Sequence, residues 1–139
     1  MPNRYRFSYT PIRSGALTAL RPYLTMTLQG PTTVQVQGLL DTGADVNILP
    51  YGIGIALGLV WEDHPLIASP SGNLASYLAR GVVLKGIVAD LQPVRLAFAW
   101  SQAEHIPLIL GQLNFFQEFD ICFFRSQAVF DIGLRADHS

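Results

Sequence analysis

The sequence is short of charge. Only 14% of its 139 residues are charged, against a usual share of roughly a quarter, and the formal net charge is −1. Lysine occurs once, as Lys85. Because no cluster or stripe of Lys and Arg is present, we expect neither a nucleic acid nor an anionic membrane as a partner.

Cysteine is also nearly absent. Cys122 is the single one, which excludes a disulfide within the chain and a metal site built from several cysteines. Its neighbours Ile121, Phe123 and Phe124 predict that it is a small buried hydrophobic residue rather than a reactive thiol. A chain without disulfides fits a reducing compartment, so we expect a cytoplasmic protein.

Metal ligands and long hydrophobic runs are lacking as well. His64, His105 and His138 have no carboxylate or cysteine at ligand spacing, so we expect no metal and no cofactor. The longest apolar-rich segment without charge, residues 46–61, is interrupted by Asn47, Pro50 and three glycines. It is shorter than the roughly 20 residues that a membrane span needs, so no span is predicted.

Apolar residues, by contrast, are abundant. They make up 50% of the chain, whose length suits one domain covering residues 1–139. A domain of this size leaves much of its surface in water. The surplus of apolar groups therefore predicts that another subunit covers part of the surface.

Alternation of polar and apolar residues predicts an all-β domain. The stretches "RYRFSY", "YLTMTLQG" and "TTVQVQGLL" alternate as strands do, and "HPLIASPSGNLASYLARGVVL" has the pattern of two strands around a turn at residues 70–73. "DICFFRSQAVFDIGL" predicts a closing hairpin. The best candidate helix is "QLNFFQEF", with Leu113, Phe116 and Phe119 at helical spacing. We therefore expect a compact all-β domain with one short helix late in the chain.

The stretch "LLDTGADVNILP" is unusual. Asp and Gly disfavour the interiors of strands and helices, and Asp41-Thr42-Gly43 taken alone is typical of a turn. The apolar residues on both sides draw the turn toward the interior, where a carboxylate is costly unless it is satisfied. Such carboxylates concentrate at active sites. The residues alone leave both interpretations open.

Two stretches carry a resemblance to a known family. "LLDTGADVNILP" resembles the active-site turn of the retroviral-type (retropepsin-like) aspartic proteases, and "LILGQLNFFQEFDICF" resembles the second signature of that family. "ASPSGNLAS" lies between them, where the family has its flap hairpin. The resemblance spans residues 34–134. It implies a retropepsin-like closed β-barrel, the acid-protease fold, with one lobe per chain, a flap hairpin and one short C-terminal helix.

The resemblance also implies a function. In this family two aspartates share a proton and activate a water for peptide-bond hydrolysis, yet this chain has a single Asp-Thr-Gly motif. The second carboxylate would come from a second copy, which implies an aspartic endopeptidase acting as a homodimer on a peptide or protein substrate. The alternative is a weakly active or non-proteolytic module that binds extended peptides with the same fold.

Site residues are assigned by the same resemblance. Asp41 is the expected catalytic residue; Thr42 would hold the two catalytic loops together, and Gly43 would let the substrate backbone approach. For Asp45, contact with the substrate and simple capping of the turn are equally open. The expected substrate-binding positions are Gly43, Ala44, Asp45, Ser71, Gly72, Asn73 and Ile109.

The chain departs from the family pattern in three places. The flap candidate "SPSGN" holds a single glycine where viral flaps are rich in glycine. Gln112 stands where many viral members have an arginine that pairs with the aspartate equivalent to Asp45. Residues 1–20 have no clear counterpart, and they are either an N-terminal extension or an interface strand. "RYRFSY" or "AVFDIG" would supply such a strand, and an ordinary edge strand is an equally open interpretation. Finally, "LLDTGADVNIL" and "LILGQLNFF" echo each other weakly, as if the domain had two related halves.

Overall fold

The computed structural model describes residues 3–67 and 79–136. Within these ranges no helix is long and apolar enough to cross a membrane. The strands are β1 (Tyr5–Ser8), β2 (Thr10–Ser14), β3 (Leu17–Arg21), β4 (Tyr23–Gln29), β5 (Thr33–Leu40), β6 (Asn47–Leu49), β7 (Leu66–Ile67), β8 (Ala79–Ile87), β9 (Val94–Ser101), β10 (Leu108–Leu110), β11 (Phe119–Phe124) and β12 (Val129–Leu134). The helices are α1 (Tyr51–Ala56) and α2 (Phe115–Glu118), and 3-10 turns lie at Trp61–Asp63 and Arg125–Gln127.

Six strands close into a barrel. They follow the order β4-β5-β10-β6-β9-β8, and β8 pairs back with β4. The alternation seen in the sequence decides which side chains fill it: Leu24, Met26 and Leu28 of β4 are buried, while Thr25 and Thr27 between them are partly exposed. The predicted all-β fold with a closed barrel is confirmed.

A second sheet covers part of the core. It has the order β1-β12-β11, and its Phe130 and Ile132 are fully buried. β1 is thus an edge strand within the chain. The proposal that "AVFDIG" supplies an intersubunit strand is wrong, because β12 has β1 on one side and β11 on the other.

Cys122 is exposed, and the prediction that it is buried is wrong. Strand alternation explains the error, since Ile121 and Cys122 must point to opposite faces of β11. The register places Cys122 beside Asp131, which binds Arg6 on the outer face of the sheet. An apolar neighbour in sequence therefore says nothing about the face on which a strand residue lies.

Helix α1 adds a second short helix, in the glycine-containing stretch "YGIGIA". Gly54 is required there because a Cβ at this position would lie 2.2 Å from the indole ring of Trp100. Trp100 is fully buried and donates a hydrogen bond to the carbonyl of Tyr51 at 3.2 Å. Trp61 is buried beside it, and the two indole rings pack edge to face with their centroids 4.9 Å apart.

Candidate active site

Asp41 follows the last residue of β5, at one end of the barrel. β10 runs parallel to β5, with Ile109 beside Leu39 and Leu110 beside Leu40. The backbone N–H of Asp41 continues this pairing and donates to the carbonyl of Leu110 at 3.0 Å. The pairing of β5 with β10 thus fixes the position of Asp41 at the end of the sheet, where the residue is half-buried.

The Asp41 turn satisfies its own polar groups while facing outward. Oδ1 of Asp41 accepts a hydrogen bond from the N–H of Gly43 at 3.0 Å, and the carbonyl of Asp41 accepts one from Ala44 at 3.1 Å. Thr42 and Gly43 are exposed. The carboxylate therefore keeps a defined orientation and remains open to a water molecule or a second carboxylate.

A second loop, residues 111–114, supports this turn from behind. The N–H groups of Gln112 and Leu113 donate to the carbonyls of Ala44 and Asp45 at 2.9 and 2.8 Å. The side chain of Gln112 adds a third bond, from Nε2 to the carbonyl of Thr42 at 2.8 Å. The sequence shows only that an arginine is missing at this position, and it gives no sign that the amide binds the Asp41 loop directly.

Asn47 joins the two loops to the barrel. It is fully buried, its Oδ1 accepts from the N–H of Gly111 at 2.8 Å, and its Nδ2 donates to the carbonyl of Ala97 at 2.9 Å. Asn114 continues the network: its Oδ1 accepts from the N–H of Ala97 at 3.0 Å, and its Nδ2 donates to the carbonyl of Arg95 at 2.8 Å. Such amides replace the ladder bonds that the short strands cannot make. Sequence reasoning missed both, although an asparagine between Val46 and Ile48 is a visible signal.

The structure brings together only some of the predicted substrate-binding residues. Ala44 is partly buried in the Asp41 loop, and Asp45 is exposed beside it. Ile109 lies in β10 between β5 and β6, where it pairs with Leu39 and Ile48. Ser71, Gly72 and Asn73 lie outside the described residues. The strands that precede and follow residues 68–78, β7 and β8, pair antiparallel.

An apolar groove begins at Val46, where the Asp41 loop ends. It encloses about 490 Å³, and its lining includes Val46, Pro65, Ile67, Val83, Ala97 and Leu113. Val46 directly follows the loop and forms a β-bridge with Leu113. In the ranges that the structure describes, no group of three or more His, Cys, Asp or Glu side chains is arranged to hold a metal ion. The arrangement thus offers a carboxylate and an apolar surface.

Comparisons with known proteins show which fold this chain shares. No protein-family model matches the sequence, and no curated protein matches it. A solved structure that does match is a retropepsin-like aspartic protease from Rickettsia conorii, with a TM-score of 0.66 and 11% sequence identity, covering 93% of this chain and 90% of that chain. The similarity extends over nearly the whole of both chains at very low identity. The chain therefore has the retropepsin-like fold.

Proposed function

We propose that this protein is an aspartic endopeptidase that acts as a homodimer, with Asp41 of each copy in one shared site. The observation that carries the proposal is the geometry of Asp41. Its carboxylate is oriented by the Gly43 N–H, its backbone is fixed to Leu110, and its turn faces outward from a retropepsin-like barrel. A cytoplasmic location belongs to the same proposal.

In this proposal the second carboxylate comes from another copy of the chain, and the loop after β10 supports that choice. The place equivalent to Asp41 in the other loop is taken by Gly111, because Leu110 aligns with Leu40 in the parallel pair. A Cβ at Gly111 would lie 2.6 Å from the carbonyl oxygen of Val46 and 2.8 Å from that of Ala44. No side chain fits there, so one copy cannot build a pair of carboxylates across its own two loops.

In the proposed mechanism the two carboxyl groups share one proton. One carboxylate takes a proton from the attacking water, and the other carboxyl group donates toward the developing oxyanion, so no covalent intermediate forms. Thr42 and Gly43 lie on the exposed side of the turn, where a second copy or a substrate backbone would approach. The bonds from Gln112 and Leu113 would keep the turn rigid during the reaction.

An extended, mostly apolar peptide is the substrate that the surroundings favour. The groove beside Val46 is lined entirely by apolar residues, with Phe98 and Pro65 among the aliphatic side chains, and it begins directly after Asp45. Main-chain pairing with neighbouring strands would hold such a peptide, and apolar side chains would enter the groove. A peptide clamp without hydrolysis would use the same surface but has no need of an oriented carboxylate.

The test compares Asp41→Asn with Asp90→Asn, which changes an exposed aspartate in the turn between β8 and β9. A pooled-peptide cleavage assay across acidic and neutral pH measures activity, and sedimentation equilibrium measures the dimer. We expect Asp41→Asn to lower cleavage by at least about 10²- to 10⁴-fold, the usual contribution of acid–base catalysis, while Asp90→Asn has no effect. Peptide binding without cleavage by the unmodified chain would favour the clamp, and full activity of Asp41→Asn would refute the protease.

A further inference from the structure

Two like charges face each other on the outer surface of the barrel. Lys85 of β8 lies directly opposite Arg95 of β9, and both residues are exposed. Opposite residues of an antiparallel pair point to the same face of the sheet, where like charges destabilise it. Gln29 of β4 lies opposite Lys85 on the other side of β8. An amide and two cations therefore form one row across three strands, the basic row.

No carboxylate of the described residues neutralises the basic row. Within residues 3–67 and 79–136, neither Lys85 nor Arg95 has an acidic group within ion-pair distance. Glu118 lines a cavity together with Arg95, but its ion-pair partner is Arg135, at 3.7 Å. Two facing cations cost stability, and departures from such local rules are expected at functional positions. A carboxylate from another molecule would turn the repulsion into attraction.

The basic row continues the apolar groove that begins at the end of the Asp41 loop. Val83 lines that groove, and it also lines a cavity of about 390 Å³ beside Lys85 and Arg95. Strand alternation gives the reason, because Val83 and Lys85 are two residues apart in β8 and lie on the same face. Ala97 and Arg95 face them with the same spacing in β9. The outer face of the β8–β9 ladder thus changes from apolar to basic.

Asn114 ties this face to the Asp41 loop. Its side chain accepts a hydrogen bond from the N–H of Ala97 at 3.0 Å and donates one to the carbonyl of Arg95 at 2.8 Å. The residue before it donates its N–H to the carbonyl of Asp45 at 2.8 Å. Hydrogen bonds therefore connect the strand that carries Arg95 to the loop that carries Asp41, and the basic row keeps a constant position relative to that loop.

We propose that Lys85 and Arg95, together with Gln29, bind an acidic side chain of the peptide substrate and so help to select where a protein is cut. The inference rests on the proposed function, because it assigns a substrate preference to the same site. Lys85 follows Gly81 and Val83 of the groove by four and two positions on one face of β8. A peptide and a strand advance equally per residue, so the Glu or Asp would lie about two to four residues beyond the apolar side chain in the groove.

Cleavage of a pooled library of extended peptides by the full chain tests the preference. Sequencing of the products should show Glu and Asp enriched at one fixed distance from the cut. Two matched peptides, with Glu or Gln at that position, then give a ratio of kcat/KM values. We expect this ratio to favour Glu by about two- to tenfold, as for exposed ion pairs, and to shrink in high salt.

The variant Lys85→Glu separates recognition from folding. Its new carboxylate faces Arg95, so a repulsive pair becomes an attractive one and the midpoint of urea unfolding should rise. The preference for the Glu peptide should nevertheless disappear, because the remaining cation now has a partner within the chain. The matched control is Arg13→Gln, which removes an exposed arginine from the β2–β3 hairpin and should leave the preference unchanged.

Binding is measured apart from catalysis. Fluorescently labelled peptide pools, one rich in Glu and one rich in Gln, are titrated with Asp41→Asn and with the double variant that adds Lys85→Glu. Tighter binding of the Glu pool that Lys85→Glu abolishes, without cleavage by the unmodified chain, would support the basic row and contradict the protease. Binding of neither pool would overturn the basic row.

Two further outcomes would also overturn the inference. Cleavage without a preference for an acidic residue, or with a preference that survives Lys85→Glu, would refute the basic row and leave the protease standing. Sedimentation equilibrium gives the second outcome. If Lys85→Glu raised the dissociation constant of the dimer and left the peptide preference unchanged, this face would be a contact between copies and not a substrate site.

Discussion

The loops that follow β5 and β10 begin alike and end differently. The two strands run parallel with Leu40 beside Leu110. The first backbone N–H of each loop is hydrogen-bonded to a residue outside that loop. The N–H of Asp41 donates to the carbonyl of Leu110, and the N–H of Gly111 donates to the side chain of Asn47. Beyond these first residues, the loop after β5 exposes the carboxylate of Asp41 to solvent. The loop after β10 instead directs its backbone N–H groups toward the loop after β5.

The two loops differ in what they contribute: the Asp41 loop carries a carboxylate, and the loop at residues 111–114 supports it. The Asp41 loop is partly exposed, whereas Gly111 is enclosed by the carbonyls of Ala44 and Val46. The backbone N–H groups of residues 112 and 113 and the side chain of Gln112 all donate to carbonyl groups of the Asp41 loop. Of the two loops, the one after β5 carries a carboxylate and the one after β10 has a glycine at the equivalent place, which is why the proposed function takes its second carboxylate from another copy.

The largest effect on stability is expected when the loop at residues 111–114 is forced away from the Asp41 loop. Gly111→Ala places a Cβ 2.6 Å from the carbonyl oxygen of Val46, and backbone atoms cannot rotate out of the way. We expect a loss of about 1 to 3 kcal/mol or more in the free energy of unfolding, the usual cost of overpacking. Urea unfolding measures it.

The control for this change is Gly52→Ala. A Cβ on Gly52 of α1 meets no atom within 4 Å, and alanine favours helix, so no stability should be lost. Equal unfolding midpoints for the two variants would mean that the close approach of the two loops does not matter for stability.

A smaller effect, dependent on pH, is expected at the side chain that links the loops. In Gln112→Glu, a protonated carboxyl group can still donate to the carbonyl of Thr42, but the ionised form would face that oxygen with a negative charge. The variant should approach the unmodified chain in kcat/KM at low pH. Its relative activity should then fall as pH rises through and above the ordinary glutamate value of about 4.3.

Gln117→Glu makes the same chemical change on the exposed side of α2 and should show no such dependence. The ratio of variant to unmodified kcat/KM, measured across pH for both substitutions, isolates the contribution of the Thr42 contact. A flat ratio for Gln112→Glu would show that the amide does not position the loop.

The sequence was sufficient for the fold class and for the centre of the candidate site. Alternation fixed β4 and β5, and "LLDTGADVNILP" marked the turn that places Asp41 at the end of a strand. These features are local, because strand periodicity and turn chemistry depend on neighbours in the chain. The same locality explains why the placement of the closing hairpin was correct while the solvent exposure of Cys122 was not.

Contacts between distant residues were beyond such reasoning. The bond from Gln112 to Thr42 joins residues 70 positions apart, and that from Gly111 to Asn47 joins residues 64 apart. Their side chains are ordinary amides, which carry no periodic signal. The role of Gly54 beside Trp100 was hidden in the same way, because a glycine in a helix is explained only by the ring that lies against it.

The smallest effect is expected at the ion pair between Arg6 and Asp131, which lies outside both loops. It provides a charged reference for the uncharged hydrogen bonds that join the two loops. The hydrogen bonds from Arg6, at 2.7 and 3.2 Å, lower the pKa of Asp131. A carboxylate with a lowered pKa stabilises the folded state at pH values above the unfolded value of about 3.9, and this contribution is lost as pH falls through the lowered pKa. Asp131→Asn should therefore reduce the free energy of unfolding slightly at neutral pH, and the difference should vanish in acid and shrink in high salt.

Asp90→Asn serves as the control in the same unfolding series. If Asp131→Asn reduced the free energy of unfolding by the same amount in acid and in high salt, the pair would contribute through packing. The contrast with the uncharged hydrogen bonds between the two loops would then fail.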